Sequence, residues 1–292
     1  RLIGQFITPK KVIDLLAGLV FDNQKDNVLV FDPVCGAGDL LLSVRGQYQT
    51  KKVIIYGQDN SPRACRIARM NCLINGLARW EFHIQEGNVV AANSNANFYD
   101  VIVADPLVHD ENINLDLATK WFWENRGLEI AGLGNRLDAF VVLDAVQKLA
   151  VDGIAAILVY PGLLYRQGSF LQLRQLLLSE NLVDAVISLS SNVLFHTELN
   201  PQILVLRKNR LAKEVLFINA TREYFPSKEF KEDNKPILDG LTAEGVKKII
   251  RFYQDRKELA NFSKLVTLDE IKNNNYLLSV ANYVNHPQLD KF

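Results

Sequence analysis

The 292-residue chain has little of what holds metals or disulfides. Its three cysteines, Cys35, Cys65 and Cys72, are an odd number and form no Cys-x-x-Cys pair. That excludes a disulfide framework and a zinc ribbon, and fits a reducing, cytoplasmic setting. Four histidines, His83, His109, His196 and His286, lie scattered without zinc-ligand spacing. Charge of one sign is also missing: Lys plus Arg is 33 and Asp plus Glu is 33. A net charge of zero excludes a protein that coats nucleic acid by charge alone, and leaves room for a local basic face. No run is long and apolar enough to span a membrane, and no opening stretch has the pattern of a signal peptide. There is no internal repeat and no low-complexity segment. The chain opens at Arg1 rather than Met and reads as a fragment of a longer protein.

What is present is a core-forming composition, 48% hydrophobic, which suits one large α/β domain or a domain with an appendage. Short apolar runs predict strands at Val28–Asp32, Val53–Asp59, Phe82–Gln85, Val101–Ala104, Ile154–Tyr160, Val183–Leu189 and Ile203–Leu206, with Val215–Ile218 as an edge strand. Helices are expected over Pro9–Phe21, from Asp39, from Pro62 to Asn75-Gly76 behind the N-cap Ser61, and over Leu137–Ala150 and Phe170–Glu180. Strands alternating with helices predict a doubly wound α/β fold with a mainly parallel, seven-stranded sheet. Residues 1–240 would form this domain and 241–292 a short helical C-terminal tail, with Val246, Ile249, Ile250 and Tyr253 as its apolar stripe. The poorly patterned stretch Leu107–Arg136 reads as a lid or binding loop.

The first strand runs straight into Asp32-Pro33-Val34-Cys35-Gly36-Ala37-Gly38. Glycines there let a ligand touch bare backbone. A second strand closes on Asp59, about 20 residues further on, where a carboxylate can hold a ribose. The pattern describes a nucleoside-bearing cofactor. The dinucleotide fingerprint wants a third glycine, and position 41 is Leu. Asp32 and Asp39 also place two carboxylates around the turn, which would repel a pyrophosphate and suit an ammonium or sulfonium.

Several blocks occur together in one order: Gly4-Gln5-Phe6-Ile7-Thr8-Pro9, Asp32 to Gly38, Tyr56-Gly57-Gln58-Asp59-Asn60, Ala68-Arg69-Met70-Asn71, Pro161-Gly162-Leu163-Leu164-Tyr165-Arg166, and Asn192-Val193-Leu194-Phe195. With Tyr253–Lys257 and Leu268–Tyr276, they span nearly the whole chain. The chain resembles class I S-adenosylmethionine-dependent methyltransferases, most closely the modification subunits of type I restriction-modification systems, which methylate adenine N6 in DNA. The resemblance implies S-adenosylmethionine as cofactor and Gln5, Phe6, Thr8, Pro9, Asp32, Pro33, Gly36, Gly38, Asp59, Asn60 and Asn88 as its binding set. Thr8 and Pro9 would hold the methionyl end, Gly36 and Gly38 would pack against the cofactor, and Asp59 would take the ribose hydroxyls. Gly87-Asn88 stands where the family has Gly-Asp near the adenine amino group. It further implies DNA, a DNA-specificity subunit and a restriction subunit as partners in a hetero-oligomer, with no membrane.

The same resemblance makes Asp105, Pro106, Leu107 and Val108 the catalytic segment, where the family carries Asn or Asp, then Pro-Pro, then an aromatic. The adenine amino nitrogen is a poor nucleophile, because its lone pair is delocalised into the ring. A side-chain oxygen and a backbone carbonyl must accept its N–H bonds as it attacks. The base must also leave the duplex, and an aromatic face holds it. Asp105 and Pro106 keep the acceptors. Leu107 replaces the second proline and Val108 the aromatic, whose stacking is worth about 1–3 kcal/mol. Two outcomes are open. Either another aromatic (His109, Trp121, Phe122 or Trp123) takes the base, or the chain keeps the fold as a catalytically silent homologue. Arg63, Arg66 and Arg69 on one helix face, and Lys247, Lys248, Arg251, Arg256 and Lys257 in the tail, are the basic candidates for phosphate contact.

Overall fold

The computed structural model describes residues 8–22, 25–48, 51–89, 98–110, 113, 115, 117–194, 199–221, 224–226 and 238–284. Gln5 and Phe6 lie outside these residues, as does the rest of the opening block before Thr8.

The apolar runs become strands β1 (Asn27–Asp32), β2 (Lys52–Asp59), β3 (Phe82–Glu86), β4 (Tyr99–Ala104), β5 (Leu149–Val159), β6 (Val183–Ser188), β7 (Gln202–Arg207) and β8 (Val215–Asn219). A separate two-stranded ribbon pairs β9 (Tyr224–Pro226) with β10 (Leu238–Leu241), and β11 (Ser263–Val266) follows. Helices are α1 (Lys10–Leu19), α2 (Asp39–Gln47), α3 (Pro62–Ile74), α4 (Leu117–Glu124), α5 (Leu137–Lys148), α6 (Pro161–Tyr165), α7 (Ser169–Ser179), α8 (Ala243–Gln254) and α9 (Leu268–Asn273). The punctuation is local chemistry. Ser61 Oγ accepts the Ala64 N–H behind Pro62, and Thr242 Oγ1 accepts the Gly245 N–H.

Among the described residues, the main sheet has nine strands in the order β11-β8-β6-β7-β5-β4-β1-β2-β3. Neighbours from β3 to β5 are parallel, as are β6 and β8. β7 runs antiparallel between β5 and β6, and β11 antiparallel to β8. The expected α/β, mainly parallel sheet is therefore present, with two strands more than seven. One core cluster joins Val12, Leu16, Leu41, Cys72 and Ile249 to Val30, Ile55 and Val103. The opposite face joins Phe140, Leu173, Leu177 and Tyr283 to Phe31, Ile102, Ile157 and Val186. Both faces are covered, which explains why the central strands are near-continuous apolar runs.

Two expectations need correction. The stretch after 240 is not helix alone, because Ser263–Val266 pairs with Val215–Ile218 and makes β8 an internal strand. A half-buried edge strand carrying Lys264 has no strong apolar period, so it escapes notice in the sequence. The same stretch packs on the main body. A side-chain carbon added at Gly18 of α1 would lie only 3.1 Å from Ile250 Cγ1 and closer still to its Cδ1. The loop 107–136 is also not featureless. It contains α4 and a 3₁₀ turn at Ile130–Leu133, and its two ends meet.

A buried ionic knot ties the C-terminal region to β6. Asp184, 5% exposed, accepts the Tyr253 hydroxyl at 2.6 Å and Arg256 Nη1 at 2.8 Å, and faces Arg210 Nε at 3.3 Å. Removing the carboxylate leaves guanidinium groups facing one another in a low-dielectric site. Asp184→Ala is expected to cost about 3–5 kcal/mol in urea unfolding. A loss below about 1 kcal/mol would show the knot to be solvated and weak.

Candidate active site

Chain order reverses between β1 and β4: β2 and β3 lie to one side of β1, β4 and β5 to the other. The crevice outside the carboxyl ends of such strands is where open α/β sheets bind ligands. The register brings the relevant ends level. Asp32 of β1 pairs with Gly57 of β2, and Phe31 with Ile102 of β4.

The glycine loop is pinned from both sides. Cys35 N–H donates to Gln58 O at 2.8 Å, and Gly38 N–H to Cys35 O at 2.8 Å. Asp59 accepts Gly36 N–H at 2.9 Å on one oxygen and Ser61 N–H at 2.8 Å on the other. Each oxygen keeps a lone-pair direction for a ribose hydroxyl. Gly36 (φ +52°) and Gly38 (φ +85°) occupy left-handed backbone that side chains disfavour. They serve different ends. A Cβ on Gly36 would meet none of the described residues within 4 Å, so its surface is open to a ligand as far as they extend. A Cβ on Gly38 would press on Ala68 Cβ at 3.3 Å, so that glycine lets the start of α2 close on α3.

β4 delivers the second half. Asp105, half-buried, accepts the Thr8 hydroxyl at 2.6 Å across 97 residues of sequence. Pro9 caps α1, its carbonyl accepting from Val12 and Ile13. Asn60 Nδ2 donates to Asp110 Oδ2 at 3.2 Å, joining the loop after β2 to the loop after β4. Asp32, Gly36, Asp59, Asn60 and the segment Asp105–Asp110 thus lie at one carboxyl edge of the sheet, with Thr8 tied to it through Asp105. Pro33 and Pro106 are buried beneath it. Asn88 is exposed, and its main-chain carbonyl is held by Gln58 Nε2. Leu107 is 39% exposed, whereas Val108 is half-buried and packs on the core.

The electrostatics are one-sided. Asp32 is 2% exposed. Burial pushes its carboxyl well above the usual range. The Val34 N–H at 2.9 Å opposes the rise, and the charges of Asp59 and Asp105 add to it. Burial, then Asp32 and Asp59, push the Cys35 thiol upward too, so it is no nucleophile. Tyr160, just past β5, is raised by burial and then by Asp105 and Asp138. Among the described residues, no ion pair engages Asp32 or Asp59. Crowded carboxylates of this kind suit a cationic ligand and repel a pyrophosphate. A methyl donor with an ammonium and a sulfonium would fit these residues: a glycine open to a ligand, an oriented carboxylate at Asp59, and the crowded acids Asp32 and Asp105.

The substitute aromatics divide. Trp123 is fully buried in the core. Arg126 lies over both Trp123 and Phe122 and ion-pairs with Glu180, just ahead of the start of β6, at the end of the sheet opposite Asp105. His109 is exposed and directly follows Val108. Arg69 donates through Nε and Nη2 to Ile84 O, so it clamps α3 to β3. In the tail, Lys248 sits over Phe262, Lys257 over Phe252, and Arg256 on Asp184. Sequence reasoning missed Arg136 and Asp138, both buried beside the crevice. The signal for Asp138 is an acid in the first turn of a helix otherwise apolar through Leu143.

Sheet order, switch point and acid-rimmed glycine loop define a class I S-adenosylmethionine-dependent methyltransferase fold. The chain belongs to the N-6 DNA methylase family, whose model matches residues 1–292. It is 33% identical over 301 residues to the type I restriction enzyme MpnII methylase subunit of Mycoplasma pneumoniae, covering 97% of this chain and 53% of that protein. It is 26% identical over 305 residues to the MjaVIII methylase subunit of Methanocaldococcus jannaschii, covering 99% and 51%. The crystal structure of the type I restriction-modification system methyltransferase subunit from Streptococcus thermophilus superposes with a TM-score of 0.82 at 25% identity, over 97% of this chain and 60% of that one. The chain spans about half the length of the curated relatives it matches.

The raised Asp32 carboxyl sets a pH dependence. Its folded value lies above the unfolded value near 3.9, so its contribution to stability is present below about pH 4 and lost as pH rises through the folded value. Asp32→Asn keeps an acceptor for Val34 N–H and removes the charge. The ligand-free variant is expected to gain stability over the parent at pH 7 relative to pH 4. Urea unfolding at both pH values measures this, and a difference from the parent that is no more favourable at pH 7 than at pH 4 would contradict it.

Proposed function

We propose that this chain is the catalytic part of the modification subunit of a type I-like restriction-modification system and methylates adenine N6 in DNA. One observation carries the reading. The glycine loop and Asp105 follow the carboxyl ends of two adjacent parallel strands, and Asn60–Asp110 links the loop after β2, whose Asp59 pins Gly36, to the loop after β4. Family membership supports the chemistry. S-adenosylmethionine, when bound, supplies an electrophilic methyl on a sulfonium.

The chain's own residues do the rest. Asp59 holds the ribose, its carboxylate already oriented by Gly36 and Ser61 N–H. Asp32 beside a cationic donor is favoured in its ionised form, against the burial that raises its carboxyl, and that carboxylate offsets the donor's positive charge. Thr8 orients Asp105, which accepts one N–H of the extruded adenine amino group, and the Pro106 carbonyl accepts the other. These acceptors keep the nitrogen lone pair directed outward as it attacks, which is electrostatic preorganisation and not general-base removal in advance. Gln5, Phe6, Pro9, Pro33 and Asn88 complete the cofactor set in this reading, and Gly38 supports it from behind by letting α2 close on α3. Val108 packs on the core and offers no stacking face, so His109 is the ring best placed to cover the base. DNA, a DNA-specificity subunit and a restriction subunit are the partners, and a reducing cytoplasm suits three buried free thiols.

Calorimetry and labelled-methyl transfer to adenine-containing DNA, with the specificity partner supplied, test the proposal. Asp59→Ala is expected to weaken S-adenosylmethionine binding roughly tenfold or more, by losing a charge-assisted pair of hydrogen bonds. Asp105→Ala is expected to bind the donor within about threefold of the parent and to lose about 10²–10³ in kcat. Equal turnover in the Asp105 variant, or tight binding with no turnover in the parent, would overturn it.

A further inference from the structure

The family's second proline stiffens the loop after β4, and here that position is Leu107. The structure supplies stiffness from another direction. The Val108 carbonyl accepts Leu137 N–H at 3.2 Å, and Asp110 N–H donates to Asn135 O at 3.2 Å. His109 and Arg136 form an antiparallel bridge between them. Segment 108–110 is therefore held against segment 135–137 by an isolated antiparallel bridge, and the ends of the loop between them meet.

Arg136 and Asp138 anchor that second segment. Arg136 is 4% exposed and Asp138 fully buried. The guanidinium donates Nε to Asp138 Oδ1 at 2.9 Å and Nη2 to Oδ2 at 2.6 Å, a bidentate fork. Asp138 Oδ2 also accepts Tyr160 N–H at 3.1 Å, at the carboxyl end of β5, and Oδ1 accepts Ala139 N–H at 3.0 Å. Gly162 leaves room for the remaining nitrogen: a Cβ there would stand 2.6 Å from Arg136 Nη1. Phe170 lies under the guanidinium at 5.7 Å. The pair therefore fixes segment 135–137 to the end of β5, and through it the segment 108–110 that follows Asp105 and Pro106.

We infer that the Arg136–Asp138 pair is a positioning device for the reaction loop, replacing from outside the rigidity that Leu107 no longer provides. It rests on the methyl-transfer reading for its effect on turnover, but not for its effect on the loop. A plain structural pair would change stability and nothing else when altered. A positioning pair changes kcat with little change in binding, and its loss is repaired by stiffening the loop directly.

Arg136→Lys keeps the charge but cannot reproduce the fork. It is expected to lower kcat roughly ten- to hundred-fold, the range that misplacement of a reacting group produces. KM for DNA and the Kd for S-adenosylmethionine are expected within about threefold of the parent. Leu107→Pro restores the family's second proline at a position with no backbone hydrogen bond from its N–H among the described residues. Added to Arg136→Lys it is expected to recover most of kcat. An unchanged kcat in Arg136→Lys, or no recovery in the double variant, would overturn the inference. Amide hydrogen exchange on the ligand-free protein reads the brace without catalysis. The Asp110 and Leu137 amides are expected to exchange at least about tenfold faster in Arg136→Lys, and unchanged rates would overturn it. A parent chain that transfers no methyl would instead remove the proposed function, leaving the exchange rates to decide on the brace.

Discussion

Three neighbouring parallel strands each deliver an acid to one edge of the sheet, and the crowding of Asp32, Asp59 and Asp105 is the constraint on which the site depends. The register leaves them no escape, since Asp32 is level with Gly57 and Phe31 with Ile102. Like charges held together in a partly dry place are costly unless donors or a cation compensate. The chain provides some donors: Val34 N–H for Asp32, Gly36 and Ser61 N–H for Asp59, the Thr8 hydroxyl for Asp105. These fix where each carboxylate points without neutralising it. The remaining compensation suits a ligand with positive charge, which explains why the glycine turn here differs from those that cradle phosphates.

Rigidity around this edge comes from tertiary ties more than from local stiffness. The glycine loop is bonded to β2 through Gln58 O and Asp59. The loop after β4 is bonded to the start of α5 and to the loop after β2. Residues distant in sequence therefore set the spacing between the glycine loop and the loop after β4. Departures from the family pattern at Leu107 and Val108 fall in a loop whose path is determined by its neighbours, so a change of residue there need not mean a change of path.

Much of the fold was legible because the central strands are buried on both faces and read as apolar runs. Ser61-Pro62 and Asn75-Gly76 marked the ends of α3, with Gly76 at φ +79°. β11 was not legible, since an edge strand with Lys264 carries little apolar signal. The positions of Asp32, Gly36, Asp59 and Asp105 followed from strand ends, which the sequence shows. Their common environment was implied by the family resemblance and not by the residue pattern itself, because it depends on strand order, and strand order is a tertiary fact. The pairing of Arg136 with Asp138 spans two residues, yet its targets, Tyr160 and segment 108–110, lie on other elements. Trp123 looked like a candidate stacking ring until its burial beside Arg126 placed it in the core.

The most direct measurement is a crystal structure of the chain with S-adenosylhomocysteine. The expected result is a ribose on the Asp59 carboxylate, the nucleoside over Gly36, and the sulfur turned toward Asp105 with open space between them. A ligand bound elsewhere, or side chains filling the space between Gly36 and Asp105, would contradict the idea that these strand ends form one reaction crevice.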